Sequence, residues 1–209
     1  MKIKYNVIPK EEVSHCHTTF TIKEAAQTLE DSGFRCIPVL DETGYYFKGN
    51  IYIQHIYRAL VKETVKWEDA ITELIHDETI HIEEQASFFR IFSRIKQYPY
   101  LAVLNAEHQF TGILTHANVM EILEDSWGVQ SGRYTLTVST HEYQGALSNI
   151  VATIKRFTNI QSLMTLDNAS TFIRRVMITL PDNTTRDTLH NMINHLETEG
   201  FRVFDVEKI

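Results

Sequence analysis

Cysteine is scarce in this chain: Cys16 and Cys36 are the only two among 209 residues. Two thiols in a chain of this length do not make a disulfide framework, so reduced, partly buried thiols are expected. Long apolar runs are lacking as well. No stretch approaches the ~20 residues that span a bilayer, and Met1 to Val13 holds no sustained apolar run of the kind a secretion signal carries. A cytoplasmic protein without a membrane partner is expected. Positive charge is in deficit. The formal net charge of −7 gives no bulk attraction for DNA or RNA, which needs a basic face. Catalytic signatures are missing too. There is no His-Glu-x-x-His, no Cys-x-x-Cys, no phosphate-cradling Gly-Lys-Ser loop and no Ser-His-Asp order in a supporting context. The ten histidines supply no metal-ligand spacing: His15 and His17 alternate on a strand without a third ligand, and His190 and His195 are five apart on a helix. The expectation is a protein with no catalytic residues, no metal and no cofactor, hence not an enzyme.

What remains is ordinary globular usage, with 43% hydrophobic and 22% charged residues, enough for one large domain or two small ones. The strongest positive signal is a duplication. Phe34-Arg35-Cys36-Ile37-Pro38-Val39-Leu40-Asp41 pairs with Tyr98-Pro99-Tyr100-Leu101-Ala102-Val103-Leu104-Asn105. Each is a short apolar strand ending in a turn starter. Each leads through a hairpin to a second strand, Phe47 to Ile53 in one copy and Phe110 to Thr115 in the other. The offset is 64 residues at the first strand and 63 at the second, a difference of one residue in the hairpin loop.

Helical patterns bracket both hairpins. Ile22, Ala25, Ala26 and Leu29 fall at i, i+3, i+4 and i+7. Thr21 is the expected N-cap, Glu24 its capping-box partner, and Gly33 the stop. In the second copy Phe88, Phe89, Phe92 and Ile95 supply the apolar stripe. His55 to Lys62 and Ala117 to Glu124 read as closing helices. Each unit is strand, helix, strand, strand, helix. Two units packed about a pseudo-twofold axis leave clefts between the sheets and the helix ends, a setting suited to small ligands.

This pattern resembles the CBS pair over roughly residues 7 to 126. Two segments carry the likeness: Gly33-Phe34-Arg35-Cys36-Ile37-Pro38-Val39-Leu40-Asp41 and Gly112-Ile113-Leu114-Thr115-His116-Ala117-Asn118. In that family the Thr/Ser-x-x-Asp turn binds the ribose of an adenosine nucleotide, and the helix behind it offers its positive end to phosphate. The resemblance therefore implies a nucleotide site at Thr115, with Asn118 where Asp is usual. It also implies Ser14, His15, Phe34, Arg35, Cys36, Tyr100, Ile113 and His116. Phe34 and Tyr100 offer stacking faces, and Arg35 and His116 are candidate phosphate contacts. The plain alternative is that Thr115 and Asn118 cap the final helix, that the aromatics pack the core and that Arg35 is solvated. The first copy departs from the pattern, placing Tyr52 and His55 where Thr/Ser and Asp belong. One cleft is expected to be kept and the other blocked or repurposed.

After Ser126-Trp127-Gly128-Val129-Gln130-Ser131-Gly132, where periodicity breaks, the order is βαββαβ. Its parts are a strand at Arg133 to Thr140, a helix at Gly145 to Ile154, strands at Ile160 to Leu166 and Thr171 to Leu180 about an Asp167-Asn168-Ala169-Ser170 turn, a helix at Asp187 to Glu199 stopped by Gly200, and a strand at Phe201 to Val206. This part resembles an ACT domain through Glu142-Tyr143-Gln144-Gly145-Ala146-Leu147 and Asn159-Ile160-Gln161-Ser162. The resemblance implies side-by-side pairing of chains and an amino-acid effector near Glu142, Gly145, Leu147 and Asn159. Glu142 stands where Asp is usual, so a pure dimerisation module is the favoured reading.

The expected fold class is thus α+β: a CBS pair at 1–126 (repeats about 7–63 and 64–126), a linker at 127–132 and a ferredoxin-like ACT domain at 133–209. Of the CBS–ACT proteins, the chain resembles the cyclic di-AMP-binding CbpA type of Gram-positive bacteria more than the acetoin-utilisation type, whose turns are intact in both copies. The implied function is a regulatory sensor that binds cyclic di-AMP, as a homodimer, and relays occupancy to an unidentified regulated protein. AMP or ATP is the alternative ligand.

Overall fold

The computed structural model describes residues 6–141, 145–166 and 173–209. The chain divides into two compact units, Met1–Val119 and Met120–Ile209. In chain order the first begins with β1 (Ile8–Pro9), a 3-10 turn at Lys10–Glu12, β2 (Cys16–His17), α1 (Ile22–Ser32), β3 (Cys36–Leu40), β4 (Phe47–Tyr52) and α2 (Ile53–Val61). It continues with a 3-10 turn at Ile71–Leu74, β5 (His81–Glu83), α3 (Phe88–Ile95), β6 (Tyr100–Leu104), β7 (Phe110–Thr115) and α4 (His116–Trp127). The division between the units falls within α4.

Helix α1 begins and ends where its sequence signals stand. The Thr21 hydroxyl accepts from the Glu24 backbone N–H, while the Glu24 carboxylate accepts from the Thr21 N–H at 2.8 Å. Two otherwise orphaned donors are thereby satisfied. Gly33 ends the helix at φ 71. Ile22, Ala25, Ala26 and Leu29 are all buried. Helix α3 corrects the expected stripe. Ile91 and Ile95 are buried whereas Phe89 is 82% exposed. Ile91 and Ile95 are one turn apart, and Phe89 lies well round the helix from both.

The two hairpins repeat one another in detail. Strand β2 runs parallel beside β3, and β5 parallel beside β6. Antiparallel pairing runs from Cys36↔Tyr52 to Leu40↔Phe47 in one copy and from Tyr100↔Thr115 to Leu104↔Phe110 in the other. The register shifts at Val39/Leu40 and again at Val103/Leu104. A bulge kept at the same place in both copies bends each hairpin identically. Across the pseudo-twofold axis each copy meets its own counterpart. The Phe47 and Phe110 rings stack at 6.2 Å, and the Phe110 N–H donates to the Tyr45 carbonyl at 2.8 Å. The Tyr100 hydroxyl donates to Asn50 Oδ1 at 2.5 Å, with both residues buried.

The segment ahead of each repeat crosses to the other sheet. Strand β1 pairs with β7 through Ile8↔Ile113 and Pro9↔Gly112. Likewise His76 bridges Asn50 on β4, by reciprocal backbone hydrogen bonds of 2.7 and 3.0 Å. The crossings bring backbone against backbone, so the receiving strand needs glycine. A Cβ on Gly112 would stand 2.1 Å from the Ile8 carbonyl oxygen, and one on Gly49 would stand 2.6 Å from that of His76. The second crossing also assembles a polar group. The His76 and His55 rings meet edge to face at 4.5 Å, Tyr52 lies 4.9 Å from His55, and the Tyr52 hydroxyl donates to Asp77 at 2.5 Å. Among the described residues, His55 Nδ1 is buried without a hydrogen-bond partner. Burial, with His76 and Arg58 nearby, holds the His55 pKa below its usual value against the pull of Asp77.

The second unit adds β8 (Gly132–His141), α5 (Ala146–Ile154), β9 (Ser162–Leu166), β10 (Ile173–Pro181), α6 (Arg186–Thr198) and β11 (Arg202–Lys208). Its antiparallel sheet has the order β11-β8-β10-β9, the ferredoxin-like arrangement of a βαββαβ chain. One face of the sheet, bearing Leu136, Val138, Val176, Ile178 and Leu180, packs on Ile150 and Ile154 of α5 and on Leu189, Met192 and Leu196 of α6. The expected Asp167–Ser170 turn lies outside the described residues. Among those residues no helix is long and apolar enough to cross a membrane.

Two measurements test this packing. Gly112→Ala is expected to cost more than about 2 kcal/mol in urea unfolding, because the crossing must separate. Gly33→Ala meets nothing within 4 Å and is expected to lose only the left-handed backbone penalty of about 1–2 kcal/mol. The His55 group sets a pH dependence. An imidazole that resists protonation in the fold takes its proton more readily in the unfolded chain. Its contribution is therefore complete above the unfolded pKa of about 6.5 and declines as pH falls below it. The melting temperature is expected to drop below pH 6.5, and His55→Phe to flatten that drop.

Candidate functional site

The first crossing encloses a cavity of about 370 Å³ within the N-terminal unit. Ile8, Glu12, Val13 and Ser14 line one side, from the segment that runs onto β7. Phe34 to Pro38 form another side, at the start of β3, and Pro99, Tyr100, Ile113 and Thr115 come from the second hairpin. Its volume is at the small end of the range for small-molecule sites. The walls are largely apolar, with Ile8, Val13, Ile37, Pro38, Pro99 and Ile113 contributing. Phe34 leaves 60% of its surface open, so a flat ring can lie against it. Arg35 supplies a planar cationic fork.

The floor is polar but chemically quiet. Burial pushes the Cys36 thiol up to about 11, against the hydrogen bonds from Tyr100 and Tyr52. The thiolate is the nucleophilic form of cysteine, so Cys36 is unreactive at neutral pH. Burial likewise raises the Tyr100 phenol, whose proton is committed to Asn50. Neither group is poised as a nucleophile at neutral pH.

Seven of the residues implied by the sequence line the cavity: Ser14, Phe34, Arg35, Cys36, Tyr100, Ile113 and Thr115. Three stand beside it. His15 Nδ1 bonds the Val13 carbonyl at 2.8 Å, and its ring meets that of His17 at 5.3 Å. His116 is exposed, with Nδ1 3.2 Å from the Pro99 carbonyl. Asn118 is turned onto Thr115. Its Oδ1 accepts from the Thr115 backbone N–H at 3.1 Å and from the hydroxyl at 2.7 Å, while its own N–H donates to Thr115 Oγ1 at 3.3 Å. The Thr-x-x-Asn turn therefore caps the first turn of α4. With its proton given to Asn118, the Thr115 hydroxyl keeps only acceptor capacity for a ligand hydroxyl. In the first copy Tyr52 stands at the position of Thr115, and its hydroxyl is held by Asp77.

The sequence reading missed Ile8, Glu12, Val13, Ile37, Pro38 and Pro99. The first three reach the site only through the crossing, and the one local hint of it was Gly112. In the second unit, Gly145 caps α5 at φ 94 and Leu147 is 38% exposed. Asn159 follows the other end of α5, in a polar hollow of about 300 Å³ with Lys155, Arg156, Thr158, Asn183, Thr184 and Thr188. A nine-residue helix is about 14 Å long, so one small effector within a single chain cannot touch both Gly145 and Asn159. Glu142 lies outside the described residues.

The CBS domain family matches residues 6–62. No curated protein matches the sequence. Three solved structures illustrate the likeness of fold. The CbpB protein of Listeria monocytogenes in complex with c-di-AMP is 23% identical, with a TM-score of 0.53 over 58% of this chain and 94% of that one. A CBS domain pair/ACT domain protein of Thermotoga maritima is 17% identical, with a TM-score of 0.51 over 59% and 96%. CBSX2 in complex with AMP is 14% identical, with a TM-score of 0.50 over 58% and 95%. Residues 6–62 thus match the CBS domain family, and the α+β fold is similar to that of the CBS-pair proteins.

Proposed function

We propose that this protein is a non-catalytic cytoplasmic sensor in which the CBS cleft binds cyclic di-AMP and occupancy is relayed to a partner protein. One observation carries the reading. The cavity joins an open aromatic face at Phe34, a cationic fork at Arg35 and a hydroxyl at Thr115 along otherwise apolar walls. An adenosine monophosphate unit presents the complementary groups: a flat base, an anionic phosphate and ribose hydroxyls. Stacking on an aromatic face contributes about 1–3 kcal/mol per base. A charge-assisted hydrogen bond adds about 1.5–3 kcal/mol. A cleft of this size holds one adenylate half, and the second half extends from its mouth, where a second copy of the chain can close over it.

The complexes of CbpB with c-di-AMP and of CBSX2 with AMP support the ligand class. We read residues 1–126 as the CBS pair, 127–132 as linker and 133–209 as an ACT domain that pairs chains into a homodimer. Tyr52, held by Asp77, takes the place of a ribose contact in the first copy, so one nucleotide site per chain is expected. An amino-acid effector at the ACT domain is the weaker reading, since Gly145 and Asn159 lie at opposite ends of α5.

Calorimetry with cyclic di-AMP, AMP and ATP on the full chain tests the proposal. Cyclic di-AMP is expected to bind tightest. Arg35→Ala is expected to weaken it at least about tenfold, and Phe34→Ala by a similar factor. Thr115→Ala is expected to weaken it only a few-fold. Heat from AMP alone would assign the cleft to a mononucleotide. No heat from any of the three, or binding untouched by all three substitutions, would overturn the proposal.

A further inference from the structure

Thirteen residues line the cleft, and two of them carry charge: Arg35 and Glu12. The two charges oppose one another in sign. Among the described residues neither has an ion-pair partner that would cancel it. The cation on the same turn as Glu12 is engaged elsewhere. Lys10 donates to the Gly44 carbonyl and sits 5.1 Å from the centre of the Tyr45 ring. Glu12 belongs to the 3-10 turn that leads off the crossing strand, and its neighbour Val13 is buried. The turn is pinned by the Val13 N–H donating to the Lys10 carbonyl at 3.0 Å. The backbone of Glu12 is therefore fixed at the cavity, with its side chain exposed at the mouth.

A carboxylate is a poor lining for a site that takes phosphate, unless the phosphate must carry little charge. A phosphodiester bears a single negative charge. A phosphate monoester carries about −1.5 to −2 at pH 7, and polyphosphates carry more. Every charge on the ligand is drawn by Arg35 and repelled by Glu12, so the pair gives a dianion little net attraction to set against the larger cost of taking it out of water. We propose that Glu12 selects the ligand by phosphate charge, admitting a singly charged phosphodiester and disfavouring monoesters and polyphosphates. This selection rests on the nucleotide reading of the same cleft and gives it a chemical filter. Apolar walls cannot tell AMP from its methyl ester by charge, but a carboxylate at the mouth can.

The electrostatic cost scales with the product of the charges. Replacing Glu12 by glutamine is therefore expected to help a dianion twice as much, on a logarithmic scale, as a monoanion. For charges several ångströms apart in a water-filled mouth, that amounts to about threefold for one charge and about tenfold for two.

The test compares three probes by calorimetry at low ionic strength and pH 7.5: cyclic di-AMP, AMP and adenosine 5′-methylphosphate, which keeps the nucleoside but has one charge. The wild-type chain is expected to prefer the methyl ester over AMP. Glu12→Gln is expected to raise AMP affinity about tenfold and the other two about threefold, and moderate salt to compress both gains. Glu11→Gln, which removes the same charge from the adjacent exposed position, is expected to change none of the three by more than about twofold. Equal gains for all probes, no gain, or the same gains from Glu11→Gln would overturn charge selection while leaving the cleft a nucleotide site. A wild-type chain that binds none of the probes would overturn the nucleotide reading itself, and the selection with it.

Discussion

The N-terminal unit depends on a close approach of backbone to backbone. Strand β1 lies against β7 so tightly that no side chain fits at Gly112, and the pairing spans more than a hundred residues of sequence. That approach carries Glu12, Val13 and Ser14 to the edge of the second sheet and so makes one wall of the cleft. Without it Ile8 and Ile113 would face water, and Phe34 and Arg35 would stand on an open surface. The second repeat sends no comparable strand across. Its crossing is the single bridge from His76 to Asn50, again admitted by a glycine. Both crossings obey the same steric rule, and the first encloses a cavity with Arg35 among its lining residues.

Duplication explains why the two halves could diverge in this way. Their hairpins pair in the same register, down to a bulge at the same step of each. A fold held together by counterparts in contact, such as Phe47 on Phe110, tolerates change wherever the counterparts do not touch. Positions 52 and 115 are of that kind. Thr115 leaves room beside it and faces the cavity. Tyr52 fills the equivalent space and satisfies its hydroxyl on Asp77. The nitrogen of His55 that has no partner among the described residues sits next to that pair, a cost the unit carries in the half without the short polar turn.

Local chemistry was legible in the sequence, and long-range pairing was not. The Thr21–Glu24 capping box, the Gly33 stop and both hairpins could be read because each is decided within a few residues. The second unit could be read for the same reason, since its strands alternate and its helices are amphipathic. Helix α3 shows the limit: three phenylalanines in five residues drew the stripe toward Phe89, while burial fell on Ile91 and Ile95. A run of equally apolar residues does not say which of them faces inward. The cleft was half legible. Its motif residues were found, but Glu12 and Ile8 come from a crossing that leaves no periodic trace. Asn118 was read at this turn as a ribose contact or a helix cap, and the structure shows the capping hydrogen bonds, since both roles demand the same residue types at the same spacing.

The construction of the cleft also decides what a bound molecule can do to the protein. Strand β1 has only two residues, and its register holds only two pairs with β7. Such a strand is the weakest element of its sheet, because few hydrogen bonds offset the entropy of ordering it. Its neighbours Val13 and Ser14 touch the cavity together with residues of β3 and β7. A molecule that spans these walls binds only the ordered crossing, so its binding free energy adds directly to the stability of that crossing. On the proposed function, occupancy is expressed as a change in how firmly the leading segment is held. On that proposal, a small cavity closed by a two-residue strand converts the presence of a ligand into a difference that another surface can read.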